Sequence, residues 1–338
     1  MRIETNIDLT ALNTFALPSV AKRLLRIRSE KDACRLLRDS GLAGLPRAIL
    51  GGGSNVILPP TLSDVVLKVE ISGKRLLEER PDAWMVEVGA GEVWHDVVAW
   101  TIAMGWPGLE NLALIPGTAG AAPIQNIGAY GVELKERFDA LDAVDLETGQ
   151  SVHMAHDDCG FGYRESVFKR ELAGRYLVTR IRLRLPKPWR PAVDYPDLQR
   201  RARLAGRHTL DAQQVFDWVC AVRKAKLPDP ADWGNAGSFF KNPVVGETIR
   251  RELVRNEPEI PSFPQPDGTF KLSAGWMIEA CGWKGRCMGN VGVYEQQALV
   301  LVNRGGATAA EVFALAAEIR ESVRKRFGVT LEMEPTQL

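Results

Sequence analysis

The clearest hydrophobic periodicity in the chain lies between Thr308 and Gly328. Apolar side chains recur there at three- and four-residue steps, at Val312, Phe313, Ala316, Ile319, Val323 and Phe327. This spacing predicts one amphipathic helix with a single buried face. Thr308 and Glu311 form a capping box at its start, and Gly328 marks its end.

Similar patterns predict other helices over residues 29–41, 92–105, 211–226, 247–256 and 273–281. The first is expected to begin at Ser29 and end at Gly41, and the second to end at Gly105. Short apolar or alternating runs predict strands on both sides of a glycine turn in 47–59, and over 65–70, 84–91, 141–154, 176–185 and 298–302. Because helices and strands are mixed throughout, the predicted class is α+β.

Composition narrows the class of protein further. A chain of 338 residues is long for one core and predicts two or three domains, with boundaries near 70 and near 222. A net charge of +1 gives no overall field for nucleic acid or an anionic membrane. Five cysteines without a C-x-x-C pair favour reduced thiols over disulfides or a zinc site.

The sequence also bears on localisation. With no signal peptide and no long apolar run, we expect a cytoplasmic protein.

The first glycine stretch is Gly51-Gly52-Gly53-Ser54-Asn55, between two apolar runs. Backbone N–H groups in such a turn can hold a phosphate where no side chain intervenes. A Rossmann fingerprint would need glycine where Val56 stands, and no Gly-Lys-Ser/Thr of a P-loop follows. A hairpin with a glycine turn is the alternative.

The second glycine stretch, IPGTAGAAPIQNIGAYG, covers residues 115–131. So many small residues fill little of a core, whereas a large flat ligand with phosphates needs the backbone to come close. Gln125 and Asn126 offer donors and acceptors for a heteroaromatic ring. A long irregular loop without a ligand is the alternative, although loops of this length are usually functional.

Eight ordered motifs carry a resemblance to a known family. They are NTFALP (13–18), LGGGSN, GLENLALIPGTAGAAPIQNIGAYGVEL, FGYRESVFK, KLPDP, GNAGSFFKNP, KLSAGWMIE and EQQALVLVN. Together they span nearly the whole chain. The chain resembles the UDP-N-acetylenolpyruvoylglucosamine reductases, flavoenzymes of bacterial peptidoglycan precursor synthesis, in the subtype with a tyrosine substrate loop.

The resemblance implies an α+β, FAD-binding fold of the vanillyl-alcohol oxidase/PCMH type. Its first FAD subdomain would be 1–70, joined by the tail 330–338, its second 71–222, and its substrate domain 223–329. FAD, held non-covalently, would contact Gly51, Gly52, Gly53, Ser54, Asn55, Ile115, Pro116, Gly117, Thr118, Gly120, Ala121, Ala122, Gln125, Asn126, Gly128 and Ala129. Ala121 and Ala122 stand where some relatives have serines, so one flavin hydrogen bond is expected to be lost or made by the backbone.

The implied reaction has two steps. NADPH reduces FAD, and an enolpyruvyl ether on a UDP-sugar then takes the hydride at its beta carbon and a proton at its alpha carbon. By resemblance, Ser238 in GNAGSFFKNP donates that proton, with Lys226 and Asn242 as groups that polarise it, and Phe239 and Phe240 exclude water. From the sequence alone, Ser238 could instead cap a turn.

Two further catalytic residues are implied by the resemblance. Arg164 would polarise the substrate carboxylate, since a guanidinium holds a carboxylate bidentately; a surface ion pair with Glu165 is the alternative. Glu334 would stabilise the enolic form, protonated or hydrogen-bonded, and Glu332 is the competing assignment. Pro335 and the few residues after Glu334 predict that Glu334 is weakly held.

The resemblance also assigns substrate contacts. Tyr195 would lie on a loop that closes over the diphosphate, Tyr130 would touch the substrate, and Lys226 and Asn242 would contact diphosphate and uridine. Either Gln296 or Gln297 would contact the nucleotide. A monomer acting on small molecules is expected.

Two features are interpreted as structural. His153 and His156 lack further ligands at zinc spacing. The basic run 199–207 lacks interleaved aromatic residues, so a solvated helix or loop is favoured over a nucleic-acid patch. Two other function classes stay open. A flavin oxidase is disfavoured because neither glycine stretch has a His or Cys to tether flavin, and a non-enzymatic nucleotide-binding protein would leave Arg164, Ser238 and Glu334 without roles.

Overall fold

The computed structural model of the chain describes residues 2–36, 42, 44–206 and 210–338. Its α-helices are α1 (Glu30–Leu36), α2 (Trp94–Ala103), α3 (Pro196–Ala205), α4 (Ala212–Lys226), α5 (Glu247–Asn256), α6 (Ala274–Ala280) and α7 (Ala309–Phe327). The helices predicted from periodicity are therefore confirmed to within two residues at their described ends. The stop predicted at Gly41 lies outside the described residues.

Short strands alternate with these helices. They are β1 (Glu4–Asp8), β2 (Val20–Ile27), β3 (Arg47–Leu50), β4 (Val56–Ile57), β5 (Thr61–Val69), β6 (Lys74–Glu79), β7 (Ala83–Gly89), β8 (Gly128–Ala129), β9 (Val132–Glu133), β10 (Phe138–Asp145), β11 (Ser151–Ala155), β12 (Tyr176–Pro186), β13 (Asn235–Ser238), β14 (Val244–Val245), β15 (Ser262–Pro264), β16 (Phe270–Leu272), β17 (Cys287–Met288), β18 (Val291–Val293), β19 (Val300–Asn303) and β20 (Thr336–Gln337). The mixture confirms the α+β class.

The strands form several small sheets rather than one large one. The larger sheets have the orders β1-β2-β5-β3, β11-β10-β12-β7-β6, β13-β19-β18-β17 and β14-β16-β15. β4 pairs in parallel with β20, and β8 pairs with β9. The hairpin alternative for the first glycine stretch is therefore wrong, since β3 pairs in parallel with β5 and β4 pairs with β20.

The chain divides into two compact units. The first comprises residues 1–7, 21–53 and 63–225, and the second comprises 8–20, 54–62 and 226–338. Within the first unit, β12 shows why its sheet forms. Ile181, Leu183 and Leu185 are buried at every second position, while Arg182 faces the other side and bonds to Asp142 Oδ2 at 2.6 Å.

The second unit has its own apolar core. Phe15, Leu17 and Ile57 from its two N-terminal segments are buried with residues of α6, β19 and α7. The capping box of α7 is confirmed, because Thr308 Oγ1 accepts from the Glu311 amide and Glu311 Oε2 accepts from the Thr308 amide. Gly328 ends the helix in the left-handed region, with φ of 68°.

No helix within the described ranges is both long and apolar enough to cross a bilayer.

Candidate active site

The two glycine stretches lie against each other in the first unit. A Cβ on Gly52 would stand 2.8 Å from Gly117 Cα, and one on Gly51 would stand 2.7 Å from Thr118 Oγ1. Only glycine permits such an approach, because real Cβ atoms do not come this close to a neighbouring backbone. Lys68 Nζ also donates to the Gly51 carbonyl, and burial lowers the pKa of Lys68. Two segments that the sequence marked separately thus form one cradle.

The second stretch is held by the start of α2. The Trp94 amide donates to the Gly117 carbonyl at 3.0 Å, and the Ala119 amide donates to the Glu92 carbonyl at 2.8 Å. A Cβ on Gly120 would lie only 2.5 Å from Ala90 Cβ. The backbone of this stretch is therefore fixed before any ligand arrives.

A buried hydroxyl in this cradle has no partner in the protein. Thr118 is 8% exposed, and its Oγ1 makes no hydrogen bond. A buried polar atom without a partner costs about 1–3 kcal/mol, so such atoms call for an explanation such as a missing ligand. An orphaned donor beside a side-chain-free backbone fits a phosphate-bearing cofactor such as FAD.

The side-chain amide of Asn126 is hydrogen-bonded within the protein. It is fully buried with φ of 46°, and its Nδ2 donates to Gly162 O at 3.0 Å and Glu133 Oε2 at 3.1 Å. Its Oδ1 accepts from the Lys135 amide at 2.9 Å. Both amide hydrogens are used within the protein, and a contact between Asn126 and a heteroaromatic ring stays a prediction. Gln125, its neighbour, is half-buried.

His95 contacts the backbone just before the second glycine stretch. Its Nδ1 accepts from the Leu114 amide at 3.2 Å, and its ring stacks on Phe216 with centroids 5.6 Å apart. Burial lowers the pKa of His95, with smaller contributions from Lys224 and Arg223 in the same direction. The neutral form, which can accept at Nδ1, is therefore favoured. Sequence reasoning missed this residue.

Arg164 adopts a left-handed backbone, with φ of 54°. Its Nη2 donates to the Gly128 carbonyl at 2.6 Å, and its guanidinium lies over the Tyr163 ring at 5.5 Å. A side chain at Gly128 would meet Arg164 Nη1 at 3.1 Å. The structure thus places the predicted carboxylate ligand beside the second glycine stretch.

Tyr130 and Tyr195, the two predicted substrate tyrosines, meet in the first unit. Their rings pack edge to face with centroids 5.1 Å apart. Asn111 Nδ2 donates to the carbonyls of Tyr130 and Ala192, which joins the two loops. Burial raises the pKa of Tyr130 to about 12, so its phenol stays neutral and can donate. Tyr195 remains 45% exposed at the start of α3.

Arg223 is a second residue that sequence reasoning missed. It lies on α4, one position after the buried Val222 and four after the buried Val219. Its Nε is buried and makes no hydrogen bond within the protein. Burial lowers the pKa of Arg223, and its charge acts on Tyr130 and Arg164. The available signal was an arginine next to the apolar face of a predicted helix.

Ser238 ends β13 in the second unit. Gly237, just before it, has φ of 70°, and the pairing with β19 is irregular between Asn235 and Ser238. The following Phe239 and Phe240 are each 1% exposed, and their rings pack at 5.3 Å. The glycine therefore allows the strand to bulge, while the two rings anchor it in the core.

The segment after Ser238 pairs with the residues around Glu334. The Glu334 amide donates to the Phe239 carbonyl at 2.9 Å, and Asn55 Nδ2 donates to the Glu334 carbonyl at 3.3 Å. Glu334 is 9% exposed. The expectation that Glu334 is weakly held is wrong, because two backbone contacts and burial fix it.

The remaining predicted substrate residues are spread along the second unit. Asn242 Oδ1 accepts from the Ala274 amide at 2.9 Å, at the start of α6. Lys226 is the exposed last residue of α4. Gln297 Oε1 accepts from the Leu299 amide at 3.3 Å, whereas Gln296 is exposed.

The histidines and the basic run lie in ordinary secondary structure where they are described. His153 Nδ1 lies 2.8 Å from Asp142 Oδ1, and no metal-ligand cluster occurs in the described part of the chain. Residues 199–205 of the basic run belong to α3, which begins with Pro196; Arg207 lies outside the described residues.

The α+β fold, the glycine cradle and the orphaned Thr118 hydroxyl fit the class of FAD-binding flavoproteins. Accordingly, residues 21–155 match the family model described as "FAD binding domain". Residues 229–338 match the model described as "UDP-N-acetylenolpyruvoylglucosamine reductase, C-terminal domain".

Full-length relatives settle the family. The chain is 57% identical to the UDP-N-acetylenolpyruvoylglucosamine reductase of Azoarcus sp. (strain BH72), over 99% of this chain and 97% of the relative. It is 54% identical to the protein of that name in Paraburkholderia phytofirmans, over 98% and 96%. The chain therefore belongs to the UDP-N-acetylenolpyruvoylglucosamine reductase family, as the motifs predicted.

A solved structure supports the fold. The UDP-N-acetylenolpyruvylglucosamine reductase of Thermus caldophilus superposes with a TM-score of 0.70 at 22% identity, covering 100% of this chain and 99% of that one. The predicted FAD-binding α+β fold is thereby confirmed.

Proposed function

We propose that the chain catalyses the NADPH-dependent reduction of UDP-N-acetylglucosamine enolpyruvate to UDP-N-acetylmuramate. The relatives from Azoarcus and Paraburkholderia, which match along nearly the whole chain, are named as reductases of this type. Structurally, the proposal rests on the close approach of Gly52 to Gly117 beside the orphaned Thr118 hydroxyl. FAD bound at these residues would supply the hydride chemistry between NADPH and the beta carbon of the enolpyruvyl group.

The residues proposed to hold FAD are those of the two glycine stretches. Backbone N–H groups of Gly51–Gly53 and Gly117–Thr118 are proposed for the diphosphate. The amides of Ala119–Ala122 already donate to carbonyls of the protein, so these residues would line the cofactor by close packing. Thr118 Oγ1 is available for a cofactor oxygen or nitrogen. Asn126 acts indirectly, through the loop that it fixes.

Ser238 is proposed as the donor of the proton to the alpha carbon. A hydroxyl is a weak acid, so it needs cationic or polar neighbours as the proton leaves, and Lys226 and Asn242 are the proposed ones. The bulge before Ser238 and the buried rings after it support a fixed position in a dry environment.

Arg164 is proposed to bind the substrate carboxylate. Its bond to the Gly128 carbonyl uses one of the five N–H donors of a guanidinium and fixes its plane. That plane suits a bidentate carboxylate contact. The positive guanidinium would then partly neutralise the negative charge that develops next to this carboxylate during the reaction.

Glu334, rather than Glu332, is proposed to stabilise the enolic form. Glu334 is 9% exposed, whereas the side chain of Glu332 is 71% exposed and its carboxylate bonds to Lys241. Burial keeps the Glu334 carboxyl away from bulk water, which strengthens its interaction with a negative oxygen of the substrate.

Substrate contacts and cellular context complete the proposal. Tyr130 and Tyr195 are proposed to contact the UDP-sugar, together with Lys226 and Asn242, and their packed rings support a shared loop surface. We also propose the division at 70 and 222 into two FAD subdomains and a substrate domain, a monomeric state, no membrane or nucleic-acid partner, and a cytoplasmic location.

The reaction is tested by following flavin colour without oxygen. The purified protein is reduced with NADPH and then mixed with the enolpyruvyl UDP-sugar. Bleaching followed by recovery of the yellow colour only with that sugar is the expected result. Rapid reoxidation in air with no response to the sugar would indicate an oxidase, and a colourless protein that takes up no FAD would contradict the proposal.

A further inference from the structure

The segment after Ser238 forms a short antiparallel ladder with residues 332–334. Phe240 pairs with Met333, the Lys241 amide donates to the Glu332 carbonyl at 2.9 Å, and the Glu334 amide donates to the Phe239 carbonyl at 2.9 Å. Phe239 thus stands opposite Glu334, and Lys241 stands opposite Glu332. A slip of one residue would put Met333 or Pro335 where Glu334 is, because neighbouring residues in a strand point to opposite faces.

An ion pair lies across this ladder. Lys241 Nζ contacts Glu332 Oε1 at 2.5 Å. The side chain of Lys241 is only 8% exposed, whereas that of Glu332 is 71% exposed. A buried ammonium is costly without an anionic partner, so register shifts that separate the two groups are disfavoured.

We infer that Lys241 and Glu332 are positioning residues for Glu334. The ion pair across the ladder favours the register that sets Glu334 opposite Phe239, next to Ser238. The inference rests on the role proposed for Glu334. Glu332, the competing candidate for the catalytic acid, would then affect the reaction indirectly, by positioning Glu334.

The test uses the FAD-loaded variants Lys241→Met and Glu332→Gln. It measures two half-reactions separately: reduction of the flavin by NADPH and its reoxidation by the enolpyruvyl UDP-sugar. We expect reoxidation by the enolpyruvyl UDP-sugar to slow about 10- to 100-fold, because small misplacements of a reacting group have effects of this size. Reduction by NADPH should change less than about twofold, because the bond from Asn55 Nδ2 to the Glu334 carbonyl, which links the ladder to the first glycine stretch, involves neither of the two substituted side chains. Lys241→Arg should recover most of the lost rate.

Matched controls separate this effect from loss of folding. Lys284 and Glu279 form another ion pair of the second unit, with Nζ and Oε1 3.0 Å apart, and Lys284→Met should leave both half-reactions unchanged. If Lys241→Met does not fold, Glu332→Gln carries the test, since it alters an exposed side chain.

A double-mutant comparison shows whether the pair acts through Glu334. In a Glu334→Gln background, Glu332→Gln should have almost no further effect on reoxidation. An undiminished effect there, or equal slowing of both half-reactions, would overturn the positioning role. If Glu334→Gln alone leaves reoxidation unchanged, the role proposed for Glu334 fails first, and the inference fails with it.

Discussion

His95 Nδ1 accepts a hydrogen bond from the backbone amide of Leu114 at 3.2 Å. Leu114 has φ of 56°, a left-handed conformation that costs a side-chain-bearing residue roughly 1–2 kcal/mol. It directly precedes Ile115, where the second glycine stretch begins. One imidazole therefore helps to hold the strained residue from which the proposed cofactor loop starts.

We predict that FAD retention weakens as pH falls below about 6.5, the ordinary pKa of histidine. Burial lowers the pKa of His95 in the folded protein, although Asp96 opposes this. Protonation of Nδ1 removes its ability to accept from the Leu114 amide, and because the pKa of His95 is lowered in the folded protein, this loss sets in below the ordinary value as the pH falls towards the lowered one. Flavin fluorescence after rapid dilution at a series of pH values measures the loss.

The variant His95→Phe keeps a ring against Phe216 and removes the acceptor. It should bind FAD more weakly at neutral pH and lose this part of the pH dependence. His153→Gln, which alters an exposed histidine, serves as the control. A wild-type pH profile in His95→Phe would contradict the prediction.

Gly52→Ala should greatly weaken FAD binding. Its new Cβ would lie 2.8 Å from Gly117 Cα, which is backbone and cannot rotate away. Overpacking of this kind costs about 1–3 kcal/mol, and it separates the two stretches. Gly246→Ala is the matched control, because a Cβ there meets nothing within 4 Å and φ is −73°. Calorimetric titration of both apo-proteins with FAD measures the difference; equal affinities would argue against the cradle.

Ser238→Ala should slow reoxidation of the reduced enzyme by the enolpyruvyl sugar about 10²- to 10⁴-fold, the usual contribution of a proton donor. FAD binding and reduction by NADPH should survive. Stopped-flow absorbance separates the two steps. Ser322→Ala, which alters a hydroxyl bonded to Glu318 O on α7, is the control. Normal reoxidation in Ser238→Ala would assign the proton to another group.

Arg223→Met should stabilise the ligand-free protein and weaken binding of the UDP-sugar. Its buried Nε has no hydrogen bond, and an unsatisfied buried group costs about 1–3 kcal/mol, which methionine avoids. An anionic ligand would supply the missing partner, so its affinity should fall about tenfold or more. Urea unfolding and ligand titration give both values. Arg200→Met, at a 78% exposed side chain, should change neither; a destabilised Arg223→Met would refute the idea.

Local signals predicted what is local in the fold. α7 follows from its periodicity, its capping box and Gly328, all within about 20 residues. The parallel pairing of β4 with β20 did not follow, because it joins Val56 to Thr336 and has no local signature. Without a local signal for this pairing, a hairpin between β3 and β4 remained an alternative.

The candidate site shows the same limit. Motifs identified both glycine stretches, but composition cannot tell that Gly52 touches Gly117. Asn126 was assigned to a ring because its hydrogen-bond partners, Gly162 and Glu133, belong to other segments. Arg223 escaped notice because burial of its Nε depends on tertiary packing.

The second unit is assembled from three separated stretches of chain, 8–20, 54–62 and 226–338. During synthesis at about 5–20 residues per second, Phe15, Leu17 and Ile57 emerge long before the residues that cover them. These early apolar side chains must stay soluble until the last third is made. A fragment 226–338, despite matching a family model for most of its length, should lack part of its core and aggregate when expressed alone.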